Sequence, residues 1–206
     1  MKALLNVGGN SKKIALPDHY KGWKHDLLDI DPSNNPDIVC DARELEKLDD
    51  GKYDAVYCSH TLEHFYHHDL PRVLRGICHV LKDEGFAEIR VPNLKGLMHK
   101  VAEKNLDVED ILYESPAGPI AVRDVVYGYG REIAQSGNDF FAHKTGFSPK
   151  SLIKILKRNG LPYVFSDIED LEIHVICMKQ KPTKSLKSLF SLLKRRNLGA
   201  GMDCEL

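Results

Sequence analysis

Glycines and acidic residues in the first forty positions have the types and spacing of a nucleoside-binding site. Gly8 and Gly9 follow a short apolar run, and Asp29 closes a second run 20 positions after Gly9. A glycine backbone lets a ligand approach closely, and a carboxylate after the next strand can accept both hydroxyls of a ribose. Asp31 is the rival acid in the same turn. We expect only one of these two acids to face the ligand, and we favour Asp29.

Residues in the glycine turn and after the third apolar run help to distinguish which nucleoside would bind. The turn Gly8-Gly9-Asn10 lacks the Gly-x-Gly-x-x-Gly spacing that holds a pyrophosphate, which makes a nicotinamide dinucleotide a weaker alternative. Asp41 and Ala42 follow a third apolar run, where they could meet an adenine ring. Asp41 could also cap the helical segment behind it, and the two roles are compatible.

Histidines form the densest group of ionisable residues in the chain. His60 and His64 are four positions apart, a spacing that would let both bind zinc from one helix face. Thr61, however, is a candidate N-cap that leaves His60 outside the helix, and Glu63 stands beside the second histidine, unlike the metalloprotease motif. We therefore predict no metal site. His143 could accept a proton from a hydroxyl substrate, whereas a surface position for His143 and a packing role for His64 stay open.

Alternating apolar runs and helical patterns must position these residues. A 3.6-residue apolar pattern from Leu70 to Leu81, closed by Gly85, predicts a helix between two strands. Strand, turn and helix in this order indicate a Rossmann-like, doubly wound α/β fold with a mostly parallel sheet of about seven strands. The predicted strands are Ala3–Val7, Asp26–Ile30, Ile38–Val39, Ala55–Cys58, Phe86–Val91, Tyr163–Ile168 and Leu171–Met178. The last two are expected to form an antiparallel C-terminal hairpin.

Composition narrows the class of protein further. The 206 residues carry 29 Lys and Arg against 30 Asp and Glu, which argues against a binder of bulk nucleic acid. The five cysteines are widely spaced and never form Cys-x-x-Cys, and the N-terminus has too few consecutive apolar residues for a signal peptide. We therefore expect a cytoplasmic protein.

The chain divides into a domain at 1–178 and a tail at 179–206. Residues 94–145 interrupt the strand and helix rhythm and predict a partly helical insertion or lid on the sheet. The aromatic residues of this insertion could line an acceptor pocket or pack within the lid: Tyr113, Tyr127, Tyr129, Phe140 and Phe141. Residues 179–197 are basic and amphipathic, so they could contact a membrane surface or a partner protein, or pack on their own domain.

The segment from Tyr53 to Phe65, YDAVYCSHTLEHF, resembles the fourth strand and following turn of class I S-adenosylmethionine-dependent methyltransferases of the small type 11 kind. The motif reads as Asp54 opening the strand, Ser59 in the turn, Leu62-Glu63-His64, and Leu81-Lys82-Asp83-Glu84-Gly85 before the fifth strand. The resemblance covers about residues 4–93 and resumes at 143–160.

This resemblance implies S-adenosylmethionine as cofactor and methyl transfer to a small-molecule or glycan-type acceptor. It places the glycine turn under the methionine part, Asp29 at the ribose, Asp41 and Ala42 at the adenine, and Ser59 and His60 beside the sulfonium. The expected cofactor-binding residues are Val7, Gly8, Gly9, Asp29, Ile30, Asp41, Ala42, Ser59 and His60, and the candidate catalytic residues are His143 and His64. Asn6 stands where the family usually has an acid, which keeps a non-catalytic nucleoside-binding protein as an alternative beside an NAD-dependent oxidoreductase.

Overall fold

A seven-stranded sheet organises the chain in the computed structural model, which describes residues 1–115 and 118–182. The strands of the described residues are β1 Ala3–Val7, β2 Lys24–Asp29, β3 Ile38–Val39, β4 Tyr53–Ser59, β5 Leu81–Pro92, β6 Ile111–Ser115, β7 Gly118–Ala121, β8 Tyr163–Ile168 and β9 Glu172–Met178. The order in the seven-stranded sheet is β3-β2-β1-β4-β5-β9-β8. Neighbouring strands from β3 to β5 are parallel, and β9 runs antiparallel to both β5 and β8. The Rossmann-like fold class and the C-terminal hairpin are confirmed.

Five α-helices accompany the sheet in the described part of the chain: α1 Leu70–Val80, α2 Leu94–Lys104, α3 Val122–Tyr127, α4 Gly130–Ser136 and α5 Pro149–Arg158. The predicted helix before β5 is α1, whose apolar stripe is buried against the sheet. Ser148 caps α5 by accepting a hydrogen bond from the Ser151 amide, with Pro149 at the first helical position. None of the described helices combines the length and the apolar character needed to cross a membrane.

Side chains alternate between the two faces of the sheet along each strand, and both faces are buried. Leu5 and Val7 pack with α1 and α5 on one face, whereas Leu4 points to the other. That second face is covered by aromatic residues, among them Tyr20 and Trp23. Apolar side chains on both faces explain why the strands read as nearly continuous apolar runs.

The connections between the first four strands differ from the repeated helical crossovers that the sequence pattern predicts. They contain 3-10 turns at Asp18–Tyr20, Pro32–Asn34 and Ala42–Lys47, and α1 is the α-helical crossover between parallel strands. Prolines and glycines interrupt these connections, so none of them has a long, uninterrupted amphipathic helical pattern.

The insertion at 94–145 is more structured than its sequence pattern indicates. It contains α2, α3 and α4, and also a two-stranded antiparallel sheet of β6 and β7 that the sequence analysis did not predict. Leu97, Val122 and Val125 give it a small apolar core of its own. The basic segment predicted at 179–197 lies outside the described residues from position 183 onward.

Candidate active site

A cavity of about 610 Å³ opens at the carboxyl ends of the central parallel strands. Its wall includes Asp29 at the end of β2, the Gly8-Gly9 turn after β1, and Ser59 and His60 at the end of β4. The insertion supplies a further group of lining residues, which we call the roof: Tyr129, Asp139, Phe140, Phe141, His143 and Lys144. Open α/β sheets bind ligands at this edge, where adjacent strand ends leave a crevice.

The cavity gathers most of the site residues that the sequence predicts. Gly8, Gly9, Asp29, Ile30, Asp41, Ala42, Ser59, His60, His64 and His143 all line it. Val7 does not, because its side chain is fully buried in the apolar core and its carbonyl accepts a hydrogen bond from the Thr61 hydroxyl at 3.1 Å. The predicted contact of Val7 with the cofactor could therefore involve only its backbone, and it stays a prediction.

Both glycines of the first turn are required by close neighbours. Gly8 has φ +67°, a left-handed conformation, and a Cβ there would overlap the side chain of Thr61. A Cβ on Gly9 would overlap the amide of Asn6. The turn after β1 is thus packed between its own strand and the loop after β4, and its bare backbone faces the cavity.

Asp29 holds the two turns beside the cavity in place. It is 9% exposed, and its two carboxylate oxygens accept hydrogen bonds from the Asn10 amide at 2.9 Å and the Asp31 amide at 3.0 Å. Each oxygen keeps a further lone pair, so the carboxylate can still accept hydroxyl donors from a ribose.

Asp31 also lines the cavity, so both acids border the space in which a ligand would bind, and the preference for Asp29 stays a prediction. The two positions are two residues apart, and side chains at that spacing leave an extended chain on the same side. Asp31 differs from Asp29 in its task, because its carboxylate caps the 3-10 turn by accepting from the Ser33 amide at 2.9 Å.

Asn6, a residue of the cavity wall, has a buried side-chain acceptor without a partner. Asn6 is 4% exposed and lines the cavity, and its Oδ1 has no hydrogen-bond partner among the described residues. A buried acceptor without a donor costs free energy unless a ligand satisfies it. An ammonium group is a suitable donor, so the residues present fit the amino-acid end of an S-adenosylmethionine molecule even without the acid usual at this position.

Asp41 has the capping role that the sequence predicts. Its carboxylate accepts from the Arg43 amide at 2.9 Å and pairs with the Arg43 guanidinium at 2.6 Å. Burial alone would raise the pKa of Asp41, but the hydrogen bonds from Arg43 outweigh burial and lower it. Asp41 is therefore an anion whose position is fixed on the cavity wall, next to Ala42.

His60 is held at the cavity wall by three elements. Its φ is +50°, and its amide donates to the Arg90 carbonyl of β5 at 2.9 Å. Its imidazole lies between two carboxylates, with Nε2 3.0 Å from Glu172 and Nδ1 3.4 Å from Glu63. Partial burial lowers the pKa of His60, but the two carboxylates outweigh it and raise the pKa to about 10.

His64 joins the loop after β4 to the roof. Its Nδ1 is 3.1 Å from the Ala142 carbonyl and its Nε2 is 3.0 Å from the His60 carbonyl. The amides of Lys144 and Thr145 reinforce this junction by donating to the Glu63 carbonyl at 2.7 and 3.1 Å. Three contacts, from the His64 ring to Ala142 and from the amides of Lys144 and Thr145 to Glu63, therefore fix the end of the insertion at the cavity.

His143 has one nitrogen committed and one available. Its Nδ1 lies 2.9 Å from the Val125 carbonyl, and because a carbonyl can only accept, the proton of the neutral ring sits on Nδ1. The lone pair then belongs to Nε2. Burial lowers the pKa of His143 and favours this neutral form, against the opposing effect of the Glu63 charge.

Glu63, His64 and His143 bring one nitrogen or oxygen each to within 4.8 Å of one another, the geometry expected of a metal-binding group. Both nitrogens of His64, however, point at carbonyl oxygens at hydrogen-bond distance, so neither is directed at an ion between the three residues. The cluster does not form an open ligand set in this arrangement.

The roof supplies aromatic surface to the cavity. Tyr129, Phe140 and Phe141 line it, as the acceptor-pocket interpretation predicts, whereas Tyr113 and Tyr127 do not, being 44% and 69% exposed elsewhere on the insertion. Asp139 and Lys144 pair at 3.1 Å beside these rings.

The sequence analysis missed the residues of β5 and β9 that support His60. Glu172 on β9 contacts His60 from 112 positions away, and Arg90 on β5 contacts Glu172 at 3.2 Å. A weak signal was present in β9, where Glu172 and His174 alternate with Ile173 and Val175 and so mark one polar strand face.

The chain was compared with protein families and with solved structures. The family model described as "Methyltransferase domain" matches residues 2–164. No curated protein sequence matches the chain. The solved structures share little sequence identity with this chain, so they show its fold only. The family is assigned from the match to the family model.

Three similar structures are all methyltransferases. An S-adenosylmethionine-dependent methyltransferase from Archaeoglobus fulgidus has a TM-score of 0.53 and 16% identity, covering 85% of each chain. One from Methanosarcina mazei has a TM-score of 0.54 and 16% identity, covering 86% of this chain and 92% of that one. The 1,6-didemethyltoxoflavin-N1-methyltransferase of Burkholderia thailandensis, with its substrate and S-adenosylhomocysteine bound, has a TM-score of 0.51 and 13% identity, covering 87% and 72%. The chain belongs to the methyltransferase-domain family and is an S-adenosylmethionine-dependent methyltransferase.

Proposed function

We propose that the protein methylates a small-molecule acceptor bound beneath the roof. The observation that carries this proposal is the continuity of the cavity, which runs from Asp29 past the glycine turn to Tyr129 and Phe140. Its volume of about 610 Å³ falls in the range of sites that enclose small ligands. The Burkholderia methyltransferase, which has a similar fold and a small-molecule substrate bound, supports the same class of acceptor.

Polar groups along one wall are suited to hold the cofactor. Asp29 would accept the ribose hydroxyls, Asp41 and Ala42 would lie at the adenine, and the Asn6 amide oxygen would accept from the ammonium group. The bound cofactor supplies an electrophilic methyl carbon on a sulfonium. The chain contributes by holding donor and acceptor in line and excluding water, which can provide most of the rate enhancement for a neutral nucleophile.

His143 is the group best placed to take a proton from the acceptor. Its Nδ1 is oriented by the Val125 carbonyl, and its lowered pKa leaves Nε2 unprotonated near neutral pH. A catalytic role for His64 stays a prediction. Its two hydrogen bonds to carbonyl oxygens favour a positioning role at the junction between loop and roof.

Three finer expectations are part of the proposal. A glycan-type acceptor is compatible with the aromatic and charged residues of the roof, because sugar rings stack on aromatic faces and their hydroxyls bond to charged groups. A cytoplasmic location and a membrane or protein contact through residues 179–197 rest on the sequence pattern alone.

A calorimetric titration with S-adenosylhomocysteine tests the cofactor site. Wild-type protein should bind it saturably, and Asp29→Asn should weaken binding about tenfold or more, since hydrogen bonds to a charged acceptor are lost. Asp31→Asn is the matched control: its carboxylate also lines the cavity but serves the 3-10 turn, so binding should change far less.

Absence of binding by the wild-type protein at millimolar ligand would refute the proposed cofactor site. A larger effect at Asp31 than at Asp29 would reassign the ribose contact. A screen of small hydroxyl, amine and sugar acceptors, read out as S-adenosylhomocysteine release, would then identify the class of acceptor.

A further inference from the structure

The side chain of Glu63 is a buried carboxylate without a hydrogen bond. Glu63 is 1% exposed, and neither of its carboxylate oxygens has a hydrogen-bond partner among the described residues. A charge contact joins one of these oxygens to Nδ1 of His60 at 3.4 Å. Taking a carboxylate out of water costs free energy unless nearby groups compensate its charge. A positive charge that forms close to Glu63 is therefore stabilised.

Three histidine rings lie next to this carboxylate. Besides His60, one nitrogen each of His64 and His143 lies within 4.8 Å of an oxygen of Glu63. Both nitrogens of His64 point at carbonyl oxygens, which holds that ring in the junction between loop and roof. His143 differs, because the contact of its Nδ1 with the Val125 carbonyl leaves Nε2 able to take a proton. Glu63 thus lies beside a ring that can gain a charge during a reaction.

Backbone hydrogen bonds hold Glu63 and His143 at this distance. The Glu63 carbonyl accepts from the amides of Lys144 and Thr145, the two residues that follow His143, at 2.7 and 3.1 Å. The amide of His143 itself donates to the Tyr127 carbonyl at 3.0 Å. None of these bonds involves the side chain of Glu63. Its charge can therefore be removed by substitution while the junction between loop and roof is kept.

The charge of Glu63 favours the protonated form of His143. Burial lowers the pKa of His143, whereas the Glu63 carboxylate acts in the opposite direction and raises it. The rings of His64 and His60 lower this pKa, and the hydrogen bond to the Val125 carbonyl raises it. The elements packed against His143 carry these further charged groups: Arg123 and Asp124 on α3, and Asp139 and Lys144 in the roof.

We propose that Glu63 is a positioning residue that acts through His143, its buried carboxylate stabilising the imidazolium that forms when His143 takes the proton of the acceptor. The inference rests on the proposed function and on the role it gives to His143. In that step the acceptor proton passes to Nε2 of His143 while the acceptor atom bonds to the methyl carbon, and the sulfur keeps the electron pair of the broken carbon–sulfur bond. A carboxylate beside a general base stabilises the charge that the ring gains and so lowers the barrier.

A titration of the His143 ring tests the inference without any ligand. Nuclear magnetic resonance would give the pKa of His143 in wild type, Glu63→Gln and Glu172→Gln. Glu63→Gln should lower that pKa, because it removes the charge that favours the protonated ring. Glu172→Gln is the matched control: it removes a carboxylate that lies 3.0 Å from the other nitrogen of His60, and it should not lower the pKa of His143.

His60→Asn keeps the inference testable if Glu63→Gln fails to fold. Asn tolerates the left-handed backbone of position 60, where φ is +50°, and the substitution removes the imidazole that contacts Glu63. The pKa of His143 should then rise, because the repulsion from His60 is lost and the Glu63 carboxylate is no longer paired. An unchanged pKa of His143 in this variant would count against the inference.

Turnover separates action through His143 from general damage. With an acceptor found in the screen, Glu63→Gln should reduce kcat about tenfold to hundredfold and move the midpoint of the pH profile to lower pH. Affinity for S-adenosylhomocysteine should not change. In the His143→Asn background the same substitution should cause little further loss, because the ring on which Glu63 acts is gone. A structural role for Glu63 would instead give equal losses in the two backgrounds.

The possible results separate the inference from the proposed function. An unchanged or raised pKa of His143 in folded Glu63→Gln, or equal losses of turnover in both backgrounds, would overturn the inference while leaving the proposed function intact. If the wild-type protein binds no S-adenosylhomocysteine, the proposed function fails and the inference fails with it. A lowered pKa of His143 together with a loss of turnover that depends on His143 would support the inference.

Discussion

His143 and His64 have adjacent rings, with centroids 5.1 Å apart, yet their hydrogen bonds give them different chemistry. His143 commits one nitrogen to a carbonyl and keeps a lone pair, whereas both nitrogens of His64 face carbonyls. Proton transfer needs an available lone pair, so we expect His143 to be the proton acceptor of the pair, whereas the contacts of His64 favour a positioning role. Residue type alone does not distinguish these roles, because a tautomer is set by the partner of the other nitrogen.

The substitution His143→Asn tests this division. The Asn amide can still donate toward the Val125 carbonyl, but it lacks the Nε2 lone pair, so turnover of an identified acceptor should fall about 10²-fold to 10⁴-fold. Affinity for S-adenosylhomocysteine should not change. Because burial lowers the pKa of His143, the wild-type rate should rise with pH through a midpoint below the ordinary value of 6.5 and then level off. Unchanged turnover in the variant would exclude His143 as the base.

At the scale of elements, the turn after β1 requires a glycine at position 8 for two reasons, its backbone conformation and its close contact with Thr61. Gly8 needs a left-handed backbone and also leaves space for Thr61, whose hydroxyl bonds to the carbonyls of Val7 and Ser59. The same contact therefore ties the ends of β1 and β4 together beneath the cavity. Without it, the two strand ends that carry the glycine turn and His60 would lose their spacing.

A comparison of Gly8→Ala with Gly51→Ala separates the cost of backbone strain from the cost of steric overlap with Thr61. Gly51 also has a positive φ of +59°, but a Cβ there has nothing within 4 Å. The Gly51 variant should lose about 1 kcal/mol of unfolding free energy from backbone strain alone, whereas the Gly8 variant should lose about 2–3 kcal/mol. Urea unfolding measures both. Only the Gly8 variant should also weaken S-adenosylhomocysteine binding, and equal losses in the two variants would contradict the role of Thr61.

At the scale of the whole molecule, the buried carboxylate of Glu88 joins three parts of the chain. Its oxygens lie 2.8 Å from the Tyr20 hydroxyl, 2.8 Å from His19 and 3.0 Å from His174. These contacts connect the segment that covers one sheet face with β5 and β9. Burial would raise the pKa of Glu88, but hydrogen bonds from His174 and His19 outweigh burial and hold the pKa well below its ordinary range.

The substitution Glu88→Gln should cost about 3 kcal/mol of unfolding free energy at pH 7, because it removes the buried anion that pairs with Arg90 and accepts a hydrogen bond from the Tyr20 hydroxyl. A carboxylate with a depressed pKa stabilises the folded state above its unfolded pKa of about 4.3, and that stabilisation is lost as pH falls toward the folded pKa. The difference between wild type and variant should therefore be constant above about pH 6 and shrink below about pH 4. Glu84→Gln, at an exposed carboxylate of β5, is the control and should show no such difference. A pH-independent difference would contradict the charge network.

The sequence by itself determined the features that depend on near neighbours in the chain. Apolar runs marked the strands of the main sheet, the 3.6-residue pattern marked α1, and the glycine turn with Asp29 marked the edge of the sheet at which the cavity opens. These signals are local because alternation, helical period and backbone conformation are set within a few residues. The motif Leu62-Glu63-His64 identified the family from the same kind of short-range pattern.

Only the tertiary structure decided which side chains meet across the sheet and the insertion. The sequence did not indicate that His64 would reach the Ala142 carbonyl over 78 positions, or that Glu172 would reach His60 over 112. It also missed the β6 and β7 pair, whose strands are short and partly exposed and so lack a strong apolar pattern. Such contacts depend on strand register and on how the insertion closes over the cavity, which are fixed by packing between distant segments rather than by the order of residues in any one of them.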